Sequence, residues 1–294
     1  MSEIFGIPTA LLGSQLLVGL INGSFYAILS LGLAIIFGLL NIINFAHGAQ
    51  YMMGAFVAWI GLTKFGINYW VSLLLAPILV GAVGVVLERT LLSRLYKLDH
   101  LYGLLLTFGL ALIIEGVFRD QYGISGLSYD VPDALAGGVN LGFMFMPIYR
   151  GWVVVAALAV CFGTWFMIER TKLGAYLRAG TENPQIVQAL GINVPLLITF
   201  TYGYGVALAA FAGVLAAPVF QVNPLMGSNL IIVVFAVVVI GGMGSILGSI
   251  VTGIGLGLIE GLTKVFYPEG SSVVVFVIMV IVLLVRPAGL FGKA

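Results

Sequence analysis

"GLINGSFYAILSLGLAIIFGLLNIINFAHGAQYMMGAF", Gly19–Phe56, holds two apolar runs separated by a short polar break at Asn44–Gly48. The run before the break, 10–37, exceeds the roughly 20 apolar residues that a helix needs to cross a bilayer, and a second run, 46–62, starts directly after it. The same pattern continues along the chain, with runs at 70–88, 101–118, 150–169, 195–217, 228–243, 246–264 and 272–286. Charged residues make up 8% of the sequence and hydrophobic ones 61%. The mean hydropathy is +1.18. A water-facing surface needs a far larger charged fraction, about 25% in ordinary soluble domains. The alternating ten-residue pattern of an outer-membrane barrel is absent. The reading is an all-α integral membrane protein, one transmembrane domain over residues 1–294, made of eight or nine apolar segments.

Net charge and rare residue types narrow the function. A formal charge of +1 with no basic run argues against nucleic acid as a partner, which needs clustered Lys and Arg to neutralise phosphates. The lone Cys161 lies inside an apolar run, where a packing role is the ordinary one and neither a disulfide framework nor a cysteine metal site can form. The N-terminal "MSEIFGIPTALLG" lacks the basic region of a cleaved secretory signal. The sequence contains no GxxxxGK[ST] phosphate loop, no GxSxG elbow and no HExxH, so nothing in it points to its own ATP site, to a catalytic centre or to a bound metal. Basic residues set the orientation. Arg89, Arg94 and Lys97, then Arg170, Lys172 and Arg178, and finally Arg286 and Lys293 mark three cytoplasmic stretches, which puts the N-terminus outside.

One internal match stands out. "NFAHG" at Asn44–Gly48 aligns with "NPLMG" at Asn223–Gly227, and the apolar runs on either side correspond, leaving 150–169 unpaired. An odd helix between two such halves reverses the second, which predicts an inverted repeat about an axis in the membrane plane. Breaks in apolar runs free backbone groups that lipid cannot satisfy, so Asn44, His47, Gly48, Asn223 and Gly227 are candidates for a substrate path. The alternative is a pair of ordinary interfacial turns. His47 could relay a proton or bind a ligand, although a hydrogen-bonded structural histidine at a helix end is the commoner role. Glu115 and Glu260 fall near the predicted outer ends of their runs, where a carboxylate reaches the interface. The GxxxG pairs Gly244/Gly248, Gly253/Gly257 and Gly257/Gly261 favour packing inside the bundle over a subunit contact.

The longest polar interruption is "RTKLGAYLRAGTENPQIVQALGINV", Arg170–Val194. Within it a helix over about 184–190 has both ends specified: Asn183 as N-cap, Pro184 at the first helical position and Gly191 in the left-handed place after the last turn. Val187 and Ile192 have the spacing of a Schellman contact. Helices shorter than about 12 residues are marginal in water, so this one needs a surface to lie on. Its polar face shows Gln185 and Gln188 rather than Lys and Arg, which favours a partner protein over the membrane. The apolar face predicted for that contact is Ile186, Val187 and Leu190.

Read whole, the chain resembles the membrane-spanning permease subunits of branched-chain amino acid type ATP-binding-cassette importers. The resemblance rests on Gly19–Phe56, "TFGLALIIEGVF", the 170–194 segment, "GGMGSILGS" and "RPAGLFG". It implies an inverted-repeat bundle of eight spans, hence a partial span among the nine runs, the shorter candidates being 46–62 and 228–243. It implies import of branched-chain or related amino acids across the bacterial inner membrane; relatives for urea, short amides and aromatic acids keep the solute open. It further implies two ATPase subunits that hydrolyse the ATP, a second permease and a periplasmic solute-binding protein, with no cofactor on this chain. Residues 170–194 resemble a cytoplasmic coupling loop, with Ala179, Glu182, Asn183, Pro184, Ile186, Val187, Ala189, Leu190 and Gly191 as its contact positions. The sequence departs from the better-known Glu-Ala-Ala opening of that motif, reading Arg178–Ala179–Gly180. The rival reading from residues alone is an ion-coupled secondary transporter using His47, Glu115 or Glu260.

Overall fold

The computed structural model describes residues 3–4, 7–40, 42–96 and 98–292; Lys97 and Lys293, used above for orientation, lie outside them. Nine apolar helices are present among the described residues. Before the polar interruption they are α1 (Thr9–Leu40), α2 (Ala46–Phe65), α3 (Tyr69–Thr90), α4 (His100–Tyr122) and α5 (Ile148–Arg170). The interruption forms α6 (Lys172–Glu182) and α7 (Pro184–Ala189). After it come α8 (Val194–Ala216), α9 (Met226–Gly241), α10 (Ile246–Phe266) and α11 (Val274–Val285). Two short hairpins complete the architecture, Glu3–Ile4 with Ile7–Pro8 and Gly138–Asn140 with Phe145–Pro147.

Local chemistry fixes several helix starts. Asn68, Asp99, Asn193 and Ser245 each accept a backbone N–H from the first turn of α3, α4, α8 and α10 at 2.9–3.1 Å. Six helices, α1, α3, α4, α5, α8 and α10, are long and apolar enough to cross a membrane. With 16 residues α9 covers roughly 24 Å, and α11 with 12 covers roughly 18 Å, against a hydrocarbon core of about 30 Å. Of the two shorter candidates for a partial span, 228–243 is α9, a helix of 16 residues. The run 46–62 is instead a full helix of 20 residues, because it continues to Phe65 before Gly66 ends it at φ 64°. The shortest apolar helix is α11.

The packing has the symmetry expected of two inverted halves. Exchanging α1–α4 with α8–α11 maps the packing of α1 on α10 onto that of α8 on α3, α2 on α8 onto α9 on α1, and α2 on α4 onto α9 on α11. The two central pairings are made by small residues. A Cβ on Gly257 would lie 2.3 Å from the Gly23 Cα, and one on Gly19 would lie 2.5 Å from the Gly257 carbonyl oxygen. In the other half Gly81 faces the Gly203 carbonyl oxygen and Gly84 meets Val206. The GxxxG face of α10 is thus filled by α1 of the same chain, which leaves no glycine groove there for another subunit.

Two of the three basic stretches share one end of the bundle. The end of α1, Glu169, Arg178, Gly244 and Gly292 line one cavity, so the 170–194 stretch, the α9–α10 link and the C-terminal tail lie together. At the opposite end, the Tyr149 hydroxyl donates to the Leu215 carbonyl at 3.0 Å and Trp152 Nε1 donates to the Tyr69 hydroxyl at 3.0 Å.

Candidate functional site

The two breaks meet inside the bundle. Helix α1 ends at Leu40, and the chain then runs back along the start of α4, where Thr107 Oγ1 donates to the Ile43 carbonyl at 3.1 Å and accepts from Phe45 N–H at 3.2 Å. Helix α2 consequently begins at the depth of Leu29–Gly32 of α1, not at its end. Helix α9 begins facing it. A Cβ on Gly227 would lie 2.0 Å from the Gly48 carbonyl oxygen, and one on Gly48 would lie 2.7 Å from that of Gly227. The matched glycines are therefore the two faces of one backbone contact. Any side chain there would push the breaks apart.

Around this contact His47 is fully buried, and its Nε2 donates to the Leu29 carbonyl at 3.0 Å, with Gly32 leaving room for the ring. It stands in the first turn of α2, where that bond ties it to α1. Asn44 Nδ2 donates to Gln50 Oε1 at 3.2 Å, and Gln50 Nε2 donates to the Tyr202 hydroxyl at 3.3 Å, so a buried polar chain ties the first break to α8. Asn44 Oδ1 and His47 Nδ1 are buried without a hydrogen-bond partner. Asn223, the match of Asn44, closes its own turn by accepting from Leu225 N–H and donating to the Gln221 carbonyl, both at 3.0 Å. Between His47, Gly48, Tyr51, Gly227 and Ile231 there is no water-sized space. The chain is closed at this level.

Among the described residues, five carboxylates lie within apolar helices; Asp120 and Glu169 are in the last turns of α4 and α5, and three others remain. Glu88, buried near the end of α3, accepts from Thr199 Oγ1 at 2.7 Å and from the Tyr96 hydroxyl at 2.5 Å. Burial, and then the bond to Glu88, push the Tyr96 phenol above its ordinary pKa, so it remains a donor. Glu260 near the end of α10 accepts from the Tyr26 hydroxyl at 2.8 Å and from Lys264 at 2.6 Å. Each is on the third helix of its half and holds the first helix of the other, at opposite ends of the bundle. Glu115 differs. It lies on α4, which continues to Tyr122, and makes no such bonds with any described residue. At the centre of a bilayer such a carboxylate costs on the order of 3 kcal/mol on insertion scales.

At the other candidate site, α7 has the ends its sequence specifies. Asn183 Oδ1 accepts from Ile186 N–H at 3.1 Å. Ile192 N–H donates to the Val187 carbonyl and Gly191 N–H to that of Gln188, the two bonds of a Schellman motif, with Gly191 at φ 84°. The apolar face is divided, however. Ile186 and Leu190 are 59% and 75% exposed, whereas Val187 is 5% exposed and turns into the chain. Val187 anchors the helix and is withdrawn from any partner. The other positions named for the coupling loop, Ala179, Glu182, Asn183, Pro184, Ala189 and Gly191, are exposed.

Two features here were missed in the sequence. Helix α6 precedes α7, with Gly174, Leu177 and Gly180 turned inward and Arg178 paired to Glu169 at 3.2 Å. The spacing of those three residues was its only signal. Secondly, "GGMGSILGS" and "RPAGLFG" bind each other. Leu290 N–H donates to the Ile240 carbonyl at 2.8 Å and Phe291 N–H to that of Gly241 at 3.2 Å. Gly289, at φ 82°, approaches Gly242, at φ 100°, so closely that a Cβ on it would lie 2.5 Å from the Gly242 Cα.

Residues 15–283 match the family described as "Branched-chain amino acid transport system / permease component". The chain belongs to this family. The permease is 32% identical to the high-affinity branched-chain amino acid transport system permease protein BraD of Pseudomonas aeruginosa, over 95% of each chain. It is 30% identical to the corresponding protein LivH of Escherichia coli, again over 95% of both. Among solved structures, PsaBC from Streptococcus pneumoniae in complex with Fab aligns over 91% of the permease and 89% of that chain, at 13% identity and a TM-score of 0.47. The permease is thus a multi-pass membrane transport protein built as an inverted-repeat helical bundle.

Proposed function

We propose that this chain is one of two permease subunits of an ATP-driven importer that moves branched-chain or closely related amino acids across the bacterial cytoplasmic membrane. Two ATPase subunits on the cytoplasmic side hydrolyse the ATP, and a periplasmic binding protein delivers the solute. The observation that carries this reading is α7 in a chain of this family. It is a helix of 6 residues capped at both ends, seated on its own subunit through Val187, with Ile186 and Leu190 presented outward. Two exposed aliphatic side chains on a rigid short helix suit insertion into a groove of a second protein, because little order has to be gained on binding.

The test is uptake of labelled leucine into vesicles reconstituted with this chain and its co-expressed partners. The reading predicts uptake that requires internal ATP and is abolished by Ile186→Asp with Leu190→Asp, while the chain still inserts. Leucine uptake by this chain alone under a proton or sodium gradient would favour the ion-coupled reading and overturn this one.

A further inference from the structure

Glu88, Glu115 and Glu260, the carboxylates lying before the last turns of helices or buried there, separate into two kinds. Glu88 and Glu260 are each held by two hydrogen bonds from side chains. Glu115, half-buried on α4, makes no hydrogen bond or ion pair with any described residue. It lines a crevice of ≈ 60 Å³ between α4 and the starts of α2 and α9, on the flank of the Gly48–Gly227 contact. Beside it lies Ser228, whose hydroxyl donates to the Leu225 carbonyl at 3.0 Å and keeps its lone pairs free to accept. The rest of the lining includes apolar side chains, Phe108 and Leu112 on the same helix as Glu115, Ile231 on that of Ser228, and Phe45 before α2. Phe45 and Phe108 meet edge to face, with centroids 6.1 Å apart.

A carboxylate with no bonded partner, in the apolar part of a membrane helix whose next charged residue is Arg119 one turn on, is stable only where water, protein or a cationic ligand reaches it. The crevice contains what an amino acid with an aliphatic side chain would need. It offers one anionic group and one hydroxyl acceptor for the ammonium, and aromatic and aliphatic carbon for the side chain. We propose that Glu115 is the group that receives the ammonium of the solute as it passes the paired breaks, with Ser228 as second acceptor. This rests on the reading that the solute is an amino acid. In the closed state described here the crevice admits a few waters or an ammonium head but not a whole solute, so α4 and α9 must part during transport.

The experiment uses the complete transporter in vesicles. With Glu115→Gln, leucine uptake should fall about tenfold or more, the loss expected when a charged hydrogen bond is removed, while the amount of assembled transporter in the vesicles stays that of the parent. Glu115→Asp, which keeps the charge, should recover much of the uptake. A merely structural role would instead lower both readouts together. Parental uptake with Glu115→Gln would overturn the proposal. If the parent moves no amino acid, the functional reading fails first, and labelling then decides the site independently. Ser228→Cys, in a chain with Cys161→Ala, should react about tenfold faster with a cationic than with an anionic thiosulfonate, because a single-sign crevice concentrates counter-ions. Glu115→Gln should erase that preference. Equal rates with Glu115 present, or no reaction with either reagent, would contradict it.

Discussion

Gly257 and Gly255 stand two residues apart on α10 and make opposite predictions. Nothing lies within 4 Å of a Cβ on Gly255, whereas one on Gly257 would press into the backbone of α1 at Gly19 and Gly23. Gly257→Val should lower stability by about 1–3 kcal/mol, the usual range for overpacking, and Gly255→Ala should be neutral or slightly stabilising. Thermal unfolding of the purified chain in detergent checks both. Glu88 makes a second contrast. Glu88→Ala strands the Tyr96 and Thr199 hydroxyls in a buried site and should cost about 2–4 kcal/mol by the same assay. Glu88→Gln keeps an acceptor and should lose less than half of that. The GxxxG spacing was visible in the sequence, as was the packing role it favours. Its partner was not, because Gly19 and Gly23, although a GxxxG pair themselves, lie more than two hundred residues away in α1 and nothing local couples the two. Glu115 was legible as a residue type but not as a site. The tail of α4 beyond it carries Arg119 and Asp120, which made the apolar run look shorter than the helix.

Among the elements, α7 was the most fully legible, because caps are local chemistry: Asn183, Pro184 and Gly191 specify a start and a stop whatever surrounds them. Its orientation was not legible. Ile186, Val187 and Leu190 share a face on a helical wheel, and only the docking of α7 against its own chain decides that Val187 is the buried one. Helix α6 was invisible for the opposite reason. It has two interior glycines and no side-chain cap, so its local propensity is poor, and it is helical because Gly174 lets it press against the Ile168 carbonyl at the end of α5. The break at Asn44–Gly48 was found, yet its depth depended on Thr107 of α4 holding the returning strand. Asn183→Ala should remove about 1 kcal/mol from α7, read as faster hydrogen exchange of its amides, with those of α8 unchanged.

On the scale of the whole molecule, the inverted repeat turns a weak five-residue match into a mechanism. The two halves touch at Gly48 and Gly227 in the middle and are latched at opposite ends, by Glu88 to Thr199 and by Glu260 to Tyr26. In the proposed transport cycle, opening one end at a time would require releasing one latch while the other holds. The cytoplasmic end adds the clamp between the tail and the α9–α10 link. Gly289→Val, in a left-handed conformation and against Gly242, should destabilise that end by about 2 kcal/mol or more. The central claim is that α7 meets an ATPase through the side chains it leaves exposed. The direct measurement places a photo-crosslinking amino acid at Leu190, and separately at Val187 and at the exposed Leu284 of α11, in the assembled transporter. The account predicts an adduct with the ATPase subunit from Leu190 and none from Val187 or Leu284. No ATPase adduct from Leu190, or equal adducts from all three, would contradict it.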